Sequence, residues 1–338
     1  MLRLILPCCT LLLIACGDDS KSTAPPNTDA IPLTLIDLDF GDETSALLQG
    51  PDSLRVVLPA EPCPASSVDL RLDGFEFPRP LTHDLLISAA DSLNLPVAEV
   101  LLELTEGTPH AQITLGGNPS TELDATVGDG LAIHQQARVP LLATPELVAA
   151  YADTTPVGKT IAPERPRAEG PLRIPSARLA QSDAFIAMRM LGIAQAADQL
   201  AVILVDLDDQ LVFPFFIGFC QAASINATFN RLVAREASTH ILFHELLTTA
   251  RTTVTYARIT ELREDVYFGE LGLGHRGRTL ILDARPSDAV ALALRTGASI
   301  EIAETLLAAV GEEAGPYIDL FAAGKPTAPD FFPALGTF

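Results

Sequence analysis

Short apolar runs separated by turn-forming residues characterise the second half of the chain. Runs at 185–193, 201–206 and 211–218 predict strands, with Asp208-Asp209 at the turn between the last two. Helices are predicted at 219–232 and 239–251, followed by a hairpin of strands at 253–262 and 266–273 and a strand at 278–282. Because strands and helices do not follow a regular βαβ order, the pattern predicts an α+β domain, a mixed β-sheet packed with helices.

A strand end and a helix start meet in residues 283–297, DARPSDAVALALRTG. Pro286 suits the first helical position, and Gly297 suits the C-terminal cap. A strand at 299–302 and a closing helix at 303–310 are predicted to follow. The segment places two carboxylates, Asp283 and Asp288, and the guanidinium of Arg285 within about two helical turns.

The chain contains an internal repeat. Residues 123–133 align with 282–292 and keep both aspartates, as Asp124 and Asp129, but lack the Arg-Pro-Ser of the later segment. Four further segments match in the same order: 63–68 with 220–225, 80–86 with 241–247, 103–106 with 261–264, and 141–144 with 300–303. We therefore predict two tandem homologous domains, a degenerate first copy at 31–150 and a second copy at 185–310.

The N-terminus has the features of a bacterial lipoprotein. Arg3 precedes an apolar stretch at 4–15 that is too short for a permanent membrane span, which predicts a signal peptide at 1–16. Leu13-Ile14-Ala15-Cys16 resembles a lipobox, so Cys16 is expected to carry a lipid; ordinary secretion with an incidental Cys16 is the alternative. Polar residues at 17–30 predict a flexible tether. We expect a periplasmic or outer-membrane lipoprotein of the cell envelope, held at the membrane by its lipid anchor only.

Two further segments lie outside the copies. Residues 151–184 hold five prolines among polar residues and predict a linker. The C-terminal tail at 311–338 is rich in Gly, Pro and aromatic residues. This tail is expected to pack against one of the copies, because Phe331, Phe332 and Phe338 would otherwise form an exposed apolar patch that promotes association.

Cys63 and Cys220 occupy matching positions in the two copies. If the copies pack about a pseudo-twofold axis near these sites, a disulfide can form in an oxidising envelope compartment. Two buried free thiols are nevertheless favoured, because unpaired cysteine is commonly a small buried side chain. The matching positions leave open whether the two domains pair within one chain or the chain forms a homo-oligomer.

The chain is strongly acidic, with a formal net charge of −21. Residues 1–150 hold 6 Lys/Arg against 21 Asp/Glu, and residues 151–338 hold 16 against 22. A nucleic acid would therefore be attracted only locally, against the overall field, and the arginine-bearing second copy is the better host. A solvated mixed-charge surface is the more common origin of such arginines.

Three motifs resemble the bifunctional nuclease domain, a family of bacteria and plants. They are Asp-Ala-Arg-Pro-Ser-Asp-Ala at 283–289, Arg-Pro-Leu-Thr-His-Asp at 79–84, and Pro-Phe-Phe-Ile-Gly at 214–218 before a helix. The resemblance covers both copies and implies nuclease activity on DNA and RNA. The resemblance identifies the positions of this chain that match the family's motifs, but it does not assign catalytic roles to them.

The chain departs from the family pattern in both copies. A glutamate is usual shortly after the Ile-Gly pair, where this chain has Gln221 in the second copy and Pro64 in the first. The first copy keeps the Arg-Pro-Leu-Thr-His-Asp element but lacks the Arg-Pro-Ser, and the second copy shows the reverse. Either the two halves pool their residues at a shared interface, or activity has faded and the fold persists for binding.

Phosphodiester hydrolysis can use a divalent cation, Mg²⁺ or Mn²⁺, that activates water and neutralises the phosphate. The candidate residues are Asp283 and Asp288 as metal ligands, Arg285 as a phosphate clamp, and His244 with Glu245 as an acid–base pair; the first-copy equivalents are His83, Asp84, Asp124 and Asp129. A structural interpretation competes with this one. Asp288 falls at about the third helical position, where a carboxylate meets the helix dipole, and Arg285 can pair with Asp283.

Two functions from different classes follow from the sequence. The first is a nuclease, a hydrolase displayed on the bacterial envelope with its chemistry centred on the second copy. The second is a catalytically degenerate binding or scaffold lipoprotein that recognises an envelope partner through the acidic first copy.

Overall fold

The computed structural model describes residues 29–75, 77–117, 119–153, 184–196, 199–231 and 239–324. The predicted signal peptide with Cys16, most of the tether, most of the linker and the Phe331-Phe332 pair lie outside these residues. Within them, no helix is long and apolar enough to cross a membrane.

The first copy is a seven-stranded sheet with helices packed against it. Its elements are β1 (Ile31–Phe40), β2 (Thr44–Gln49), β3 (Arg55–Pro59), α1 (Pro62–Leu72), α2 (Thr82–Ser92), β4 (Val97–Thr105), β5 (Thr108–Leu115), β6 (Thr121–Ala125), α3 (Val127–Ala137), β7 (Leu141–Ala143) and α4 (Pro145–Tyr151). The strand order is β3-β2-β1-β7-β4-β5-β6, and β4 with β7 is its parallel pair.

The second copy repeats this series and adds a strand and a helix. Its elements are β8 (Phe185–Ala196), β9 (Gln199–Asp206), β10 (Leu211–Ile217), α5 (Phe219–Phe229), α6 (Thr239–Thr249), β11 (Thr253–Arg263), β12 (Val266–His275), β13 (Arg278–Ala284), α7 (Pro286–Thr296), β14 (Ser299–Ala303), α8 (Glu304–Val310), β15 (Glu312–Glu313) and α9 (Ala314–Ala322). The strand order is β13-β12-β11-β14-β8-β9-β10-β15, with β11 and β14 parallel.

The two sheets have the same topology. Read from opposite ends, β3-β2-β1-β7-β4-β5-β6 and β10-β9-β8-β14-β11-β12-β13 match strand for strand. The parallel pair also falls at the same place in both. The prediction of an α+β fold with two tandem homologous domains is therefore confirmed.

The C-terminal segment after Val310 contains secondary structure that the sequence pattern did not predict. Helix α9 packs Tyr317 and Phe321 over the sheet face formed by β8, β9 and β10, and the Tyr317 hydroxyl donates to Glu312. The composition near the start of α9 resembles that of a loop, because Gly311 precedes the helix and Gly315 and Pro316 lie in its first turn. Proline is nevertheless tolerated in the first turn of a helix.

The two copies pack closely through their helices. Helix α2 of the first copy contacts β13 of the second, α6 of the second contacts β6 of the first, and α2 also contacts α6. The hydrophobic core is continuous across both copies. The helix starts of both copies therefore meet at the interface between the sheets.

A disulfide joins Cys63 near the start of α1 to Cys220 near the start of α5. The expectation of two buried free thiols is therefore wrong. The α-carbons of the two cysteines lie 5.7 Å apart, within the usual range for a disulfide, because the equivalent helix starts face each other across the interface.

Candidate functional site

Each copy presents a buried aspartate in the first turn of a helix that follows its last hairpin strand. Val127 and Pro286 begin α3 and α7, so Asp129 and Asp288 both stand at the third helical position. Asp288 is fully buried and Asp129 is 1 % exposed. A carboxylate is favoured at this position by the helix dipole, but full burial requires further partners, because an unpaired buried charge is costly.

The partners of Asp288 come from three segments of the chain. Its Oδ1 accepts hydrogen bonds from Thr82 Oγ1 (2.9 Å), His240 Nε2 (3.1 Å) and Arg285 Nη2 (3.2 Å), and its Oδ2 accepts one from Arg285 Nε (2.6 Å). Burial by itself raises the pKa of Asp288, but Arg285 and His240 outweigh it and hold that pKa well below its usual range. The carboxylate is therefore ionised at neutral pH.

The first copy contains a matching cluster around Asp129. Its Oδ1 is 2.8 Å from His83 Nε2 and accepts a hydrogen bond from Thr239 Oγ1 (2.6 Å), while its Oδ2 accepts from Thr126 Oγ1 (2.8 Å). In each cluster the histidine belongs to the same copy as the aspartate, and a threonine comes from the other copy. Thr82 of the first copy thus joins the cluster of the second, and Thr239 of the second copy joins the cluster of the first. This reciprocal arrangement is pseudo-twofold, and the polar residues of both copies meet at one interface.

The structure corrects the predicted equivalence of His83 with His244. Helices α2 and α6 are both 11 residues long and both begin with Thr-His, so His83 corresponds to His240. The predicted alignment of 80–86 with 241–247 is displaced by four residues, about one helical turn. A four-residue shift keeps the same helix face inward, which is why the apolar pattern also fits the wrong register.

His244 and Glu245 therefore lie away from the Asp288 cluster. Glu245 lies on α6, and its pKa is raised by partial desolvation and by the nearby charge of Asp124 in the first copy. Helix α6 packs against β6 of the first copy, so this predicted acid–base pair lies near that contact. Asp84, its predicted counterpart in the first copy, instead accepts hydrogen bonds from the Leu81 amide and from Arg71.

The two predicted metal ligands, Asp283 and Asp288, lie in different surroundings. Asp283 lies on β13 opposite Glu270 of β12, and both oxygens of Asp288 are already occupied by donors. Across the described ranges, no group of three or more His, Cys, Asp or Glu is placed to hold a metal ion. Arg285 pairs with Asp288, a partner that the structural interpretation, which paired it with Asp283, did not name.

A cavity of about 590 Å³ opens at this interface. Its wall includes both histidines of the clusters and two arginines, Arg285 and Arg295, together with the disulfide. Apolar side chains complete the wall, among them Leu70, Phe77 and Phe219, and Phe219 is 76 % exposed. The cavity therefore combines cationic and histidine side chains with aromatic surface.

A serine completes the second cluster. Ser224 Oγ on α5 lies 2.9 Å from His240 Nδ1, and Ser224 also lines the cavity. The corresponding serine of the first copy, Ser67, donates to the Pro64 carbonyl of its own helix (2.7 Å). Each cluster thus contains its own histidine and aspartate. In the second cluster the serine contacts the histidine, whereas in the first the serine donates to the backbone of its own helix.

Sequence reasoning missed Thr82, Thr239, His240 and Ser224. A signal for three of them was present. Thr82-His83 and Thr239-His240 are 157 residues apart, the same separation as Cys63 and Cys220. An alignment of the two copies on Cys63 and Cys220 therefore pairs His83 with His240.

Comparisons with known proteins agree with the duplicated architecture. A family model described as the bifunctional nuclease domain matches residues 47–155 and 202–314, which together make up more than half of the chain. Uncharacterized proteins from two strains of Mycobacterium tuberculosis are each 30% identical to this chain over 126 residues, covering 37% of this chain and 75% of the relative.

Proposed function

Because the chain belongs to the bifunctional nuclease domain family, we propose that it hydrolyses phosphodiester bonds of DNA or RNA in the cavity between its two copies. One observation carries the proposal: the cavity is lined by the histidine of each His–Asp pair and by Arg285 and Arg295. Arginines bind phosphate oxygens, and histidines exchange protons in hydrolysis. The arrangement supports a site that pools residues from both copies. The first copy supplies one histidine, and the second copy supplies the other histidine and both arginines.

The side chains suggest a division of roles. His240 and His83 replace His244 and Glu245 as the acid–base candidates, because they line the cavity and are each held by a buried aspartate. Arg295 lines the cavity and donates through Nη2 to Thr228, and its other guanidinium N–H groups are the candidates for donation to a phosphate oxygen. Phe77 and Phe219 offer ring faces on which a base can stack.

The acidic surface favours local recognition over long-range attraction. With a net charge of −21, the protein repels a polyanion at a distance. We therefore expect weak, salt-tolerant binding that depends on short single-stranded segments or ends reaching the cavity. The resemblance predicts both DNA and RNA as substrates.

The test is a cleavage assay with labelled single-stranded DNA and RNA. Full-length protein is purified in detergent with its disulfide intact and assayed with Mg²⁺, with Mn²⁺ and with EDTA, because the predicted metal requirement rests on sequence alone. We expect strand scission that falls by at least about 100-fold in Arg285→Ala. Arg278→Ala, which alters an exposed arginine outside the cavity, is the matched control.

Two outcomes would contradict the proposal. Degradation that persists unchanged in Arg285→Ala would indicate a contaminating nuclease. No cleavage of either substrate by folded protein under all three conditions would favour the alternative, a binding or scaffold protein.

We further propose that the protein is lipid-anchored at the cell envelope through Cys16. The Cys63–Cys220 disulfide supports an oxidising compartment, since such bonds persist outside the cytosol. Metabolic labelling with a fatty-acid analogue should mark the wild-type protein and not a Cys16→Ala variant. Equal labelling of both would contradict the anchor.

A further inference from the structure

We propose that Ser224 is the nucleophile of the site, activated by His240 and Asp288, and that phosphodiester cleavage passes through a phosphoserine intermediate. The inference deepens the proposed function and rests on it for its substrate class. It is carried by the chain of contacts from Ser224 through His240 to Asp288 at the cavity wall.

The ionised Asp288 fixes the tautomer of His240. A carboxylate only accepts hydrogen bonds, so the proton of the neutral imidazole must be on Nε2, which donates to Asp288 Oδ1. Nδ1 then carries a lone pair and accepts the hydroxyl proton of Ser224, 2.9 Å away. A hydroxyl that donates to a histidine oriented by a buried carboxylate has the arrangement that activates a serine.

The surroundings suit attack on a phosphodiester. The hydroxyl of Thr228, one turn after Ser224 on α5, donates to the Ser224 carbonyl (3.1 Å) and accepts from Arg295 Nη2 (3.1 Å). Arg295 thus approaches the helix that carries the serine, in the cavity wall that Ser224 also lines. A guanidinium there offsets the charge of a phosphate and of the transition state.

The reaction balances with water as the only co-reactant. Ser224 Oγ forms a bond to phosphorus as its proton moves to His240 Nδ1, and the bond from phosphorus to the leaving oxygen breaks. The leaving alkoxide takes the proton from Nδ1. Water then attacks the phosphoserine diester and gives one proton to Nδ1, which returns it to Ser224 Oγ as the phosphate monoester departs.

The first copy supplies an internal control. Ser67 occupies the position that corresponds to Ser224, but its hydroxyl donates to the Pro64 carbonyl, and no hydrogen bond joins it to His83 among the described residues. Both serines line the cavity. Ser67→Ala therefore removes an equivalent hydroxyl from the same cavity without touching the proposed nucleophile.

The test uses a fluorophosphonate, which a nucleophilic serine attacks with loss of fluoride. Full-length protein is treated with the probe, and the site of the adduct is identified by peptide mass spectrometry. We expect one adduct on Ser224 that is absent from Ser224→Ala and unchanged in Ser67→Ala. Its rate of formation should fall at least about 100-fold in His240→Gln and change little in Arg278→Gln, which alters an exposed side chain outside the cavity.

The labelling rate supplies a readout that a merely structural serine would not give. A serine that only packs against His240 should react with the probe no faster than Ser67, so selective labelling of Ser224 distinguishes the two roles. Unfolding curves and thiol counts confirm that each variant keeps its fold and its disulfide.

The outcomes separate this inference from the proposed function. Folded protein that cleaves nucleic acid but forms no adduct on Ser224, or whose Ser224→Ala variant cleaves at the wild-type rate, overturns the nucleophile. An adduct on Ser224 without cleavage of DNA or RNA supports the nucleophile and overturns the nuclease. If the folded protein shows neither an adduct nor cleavage, both the nucleophile and the nuclease are overturned.

Discussion

The hydroxyl of Thr82 in the first copy lies 2.9 Å from Oδ1 of Asp288 in the second copy and donates a hydrogen bond to it. Thr239 makes the reciprocal hydrogen bond to Asp129. Each buried carboxylate therefore depends on the opposite copy for one donor. The duplication has produced a chain in which one copy completes the polar cluster of the other.

The first prediction concerns this exchange. Thr82→Val keeps the side-chain volume but removes the donor, and hydrogen bonds to charged groups contribute about 1.5–3 kcal/mol. We expect the free energy of unfolding to fall by about that amount in urea titrations. Thr279→Val on β13, where the threonine is exposed, is the control and should change the stability little. Equal stability of Thr82→Val and wild type would show that the contact is not formed in solution.

The second prediction concerns the disulfide. It closes a loop between cysteines 157 residues apart, and such a link stabilises a protein mainly by restricting its unfolded state. Cys63→Ala/Cys220→Ala should lose about 2–5 kcal/mol of stability. Dithiothreitol should lower the melting temperature of the wild type and leave that of the double variant unchanged. A wild-type melting temperature that is insensitive to reduction would contradict the disulfide.

The sequence predicted the elements of the second copy well for a simple physical reason. Its strands are short β-branched or aromatic runs, and its helix α7 is bounded by Pro286 and Gly297, so local preference and fold agree. The α9 helix was missed because Gly and Pro near its start resemble a loop.

The candidate site was only partly predictable. Arg285 and Asp288 are neighbours in the chain, so their contact follows from helix geometry. The contacts of Asp288 with Thr82 and His240 join segments far apart in the chain, and local patterns do not encode such pairings. The displaced alignment hid His240 because its four-residue shift satisfies the helix period equally well.

The third prediction concerns Gly130 in α3, which packs closely against β5. A β-carbon at Gly130 would lie 2.4 Å from the β-carbon of Ala111, so Gly130→Ala forces a backbone shift. We expect a loss of about 1–3 kcal/mol in stability. Gly315→Ala in α9, where an added β-carbon meets nothing within 4 Å, is the control and should be neutral or stabilising.

The second copy indicates how this clash can be relieved. The positions corresponding to Gly130 and Ala111 hold Ala289 and Gly269, so the small residue is on the strand instead of the helix. Adding Ala111→Gly to Gly130→Ala should therefore recover part of the lost stability. A double variant no more stable than Gly130→Ala alone would show that the close approach is not the cause.

The last prediction follows from the lowered pKa of Asp288. The unfolded chain binds a proton at this aspartate at an ordinary pKa of about 3.9, whereas the folded protein keeps the carboxylate ionised to lower pH. Its contribution to stability is therefore complete above the unfolded pKa and is lost as the pH falls through the folded pKa. Arg285 is the largest of the groups that lower this pKa, so Arg285→Gln should weaken the decline in stability below about pH 4. Arg278→Gln should keep the wild-type profile in urea titrations between about pH 2 and 6, and an identical acid profile for Arg285→Gln would mean that the ion pair does not hold the charge of Asp288.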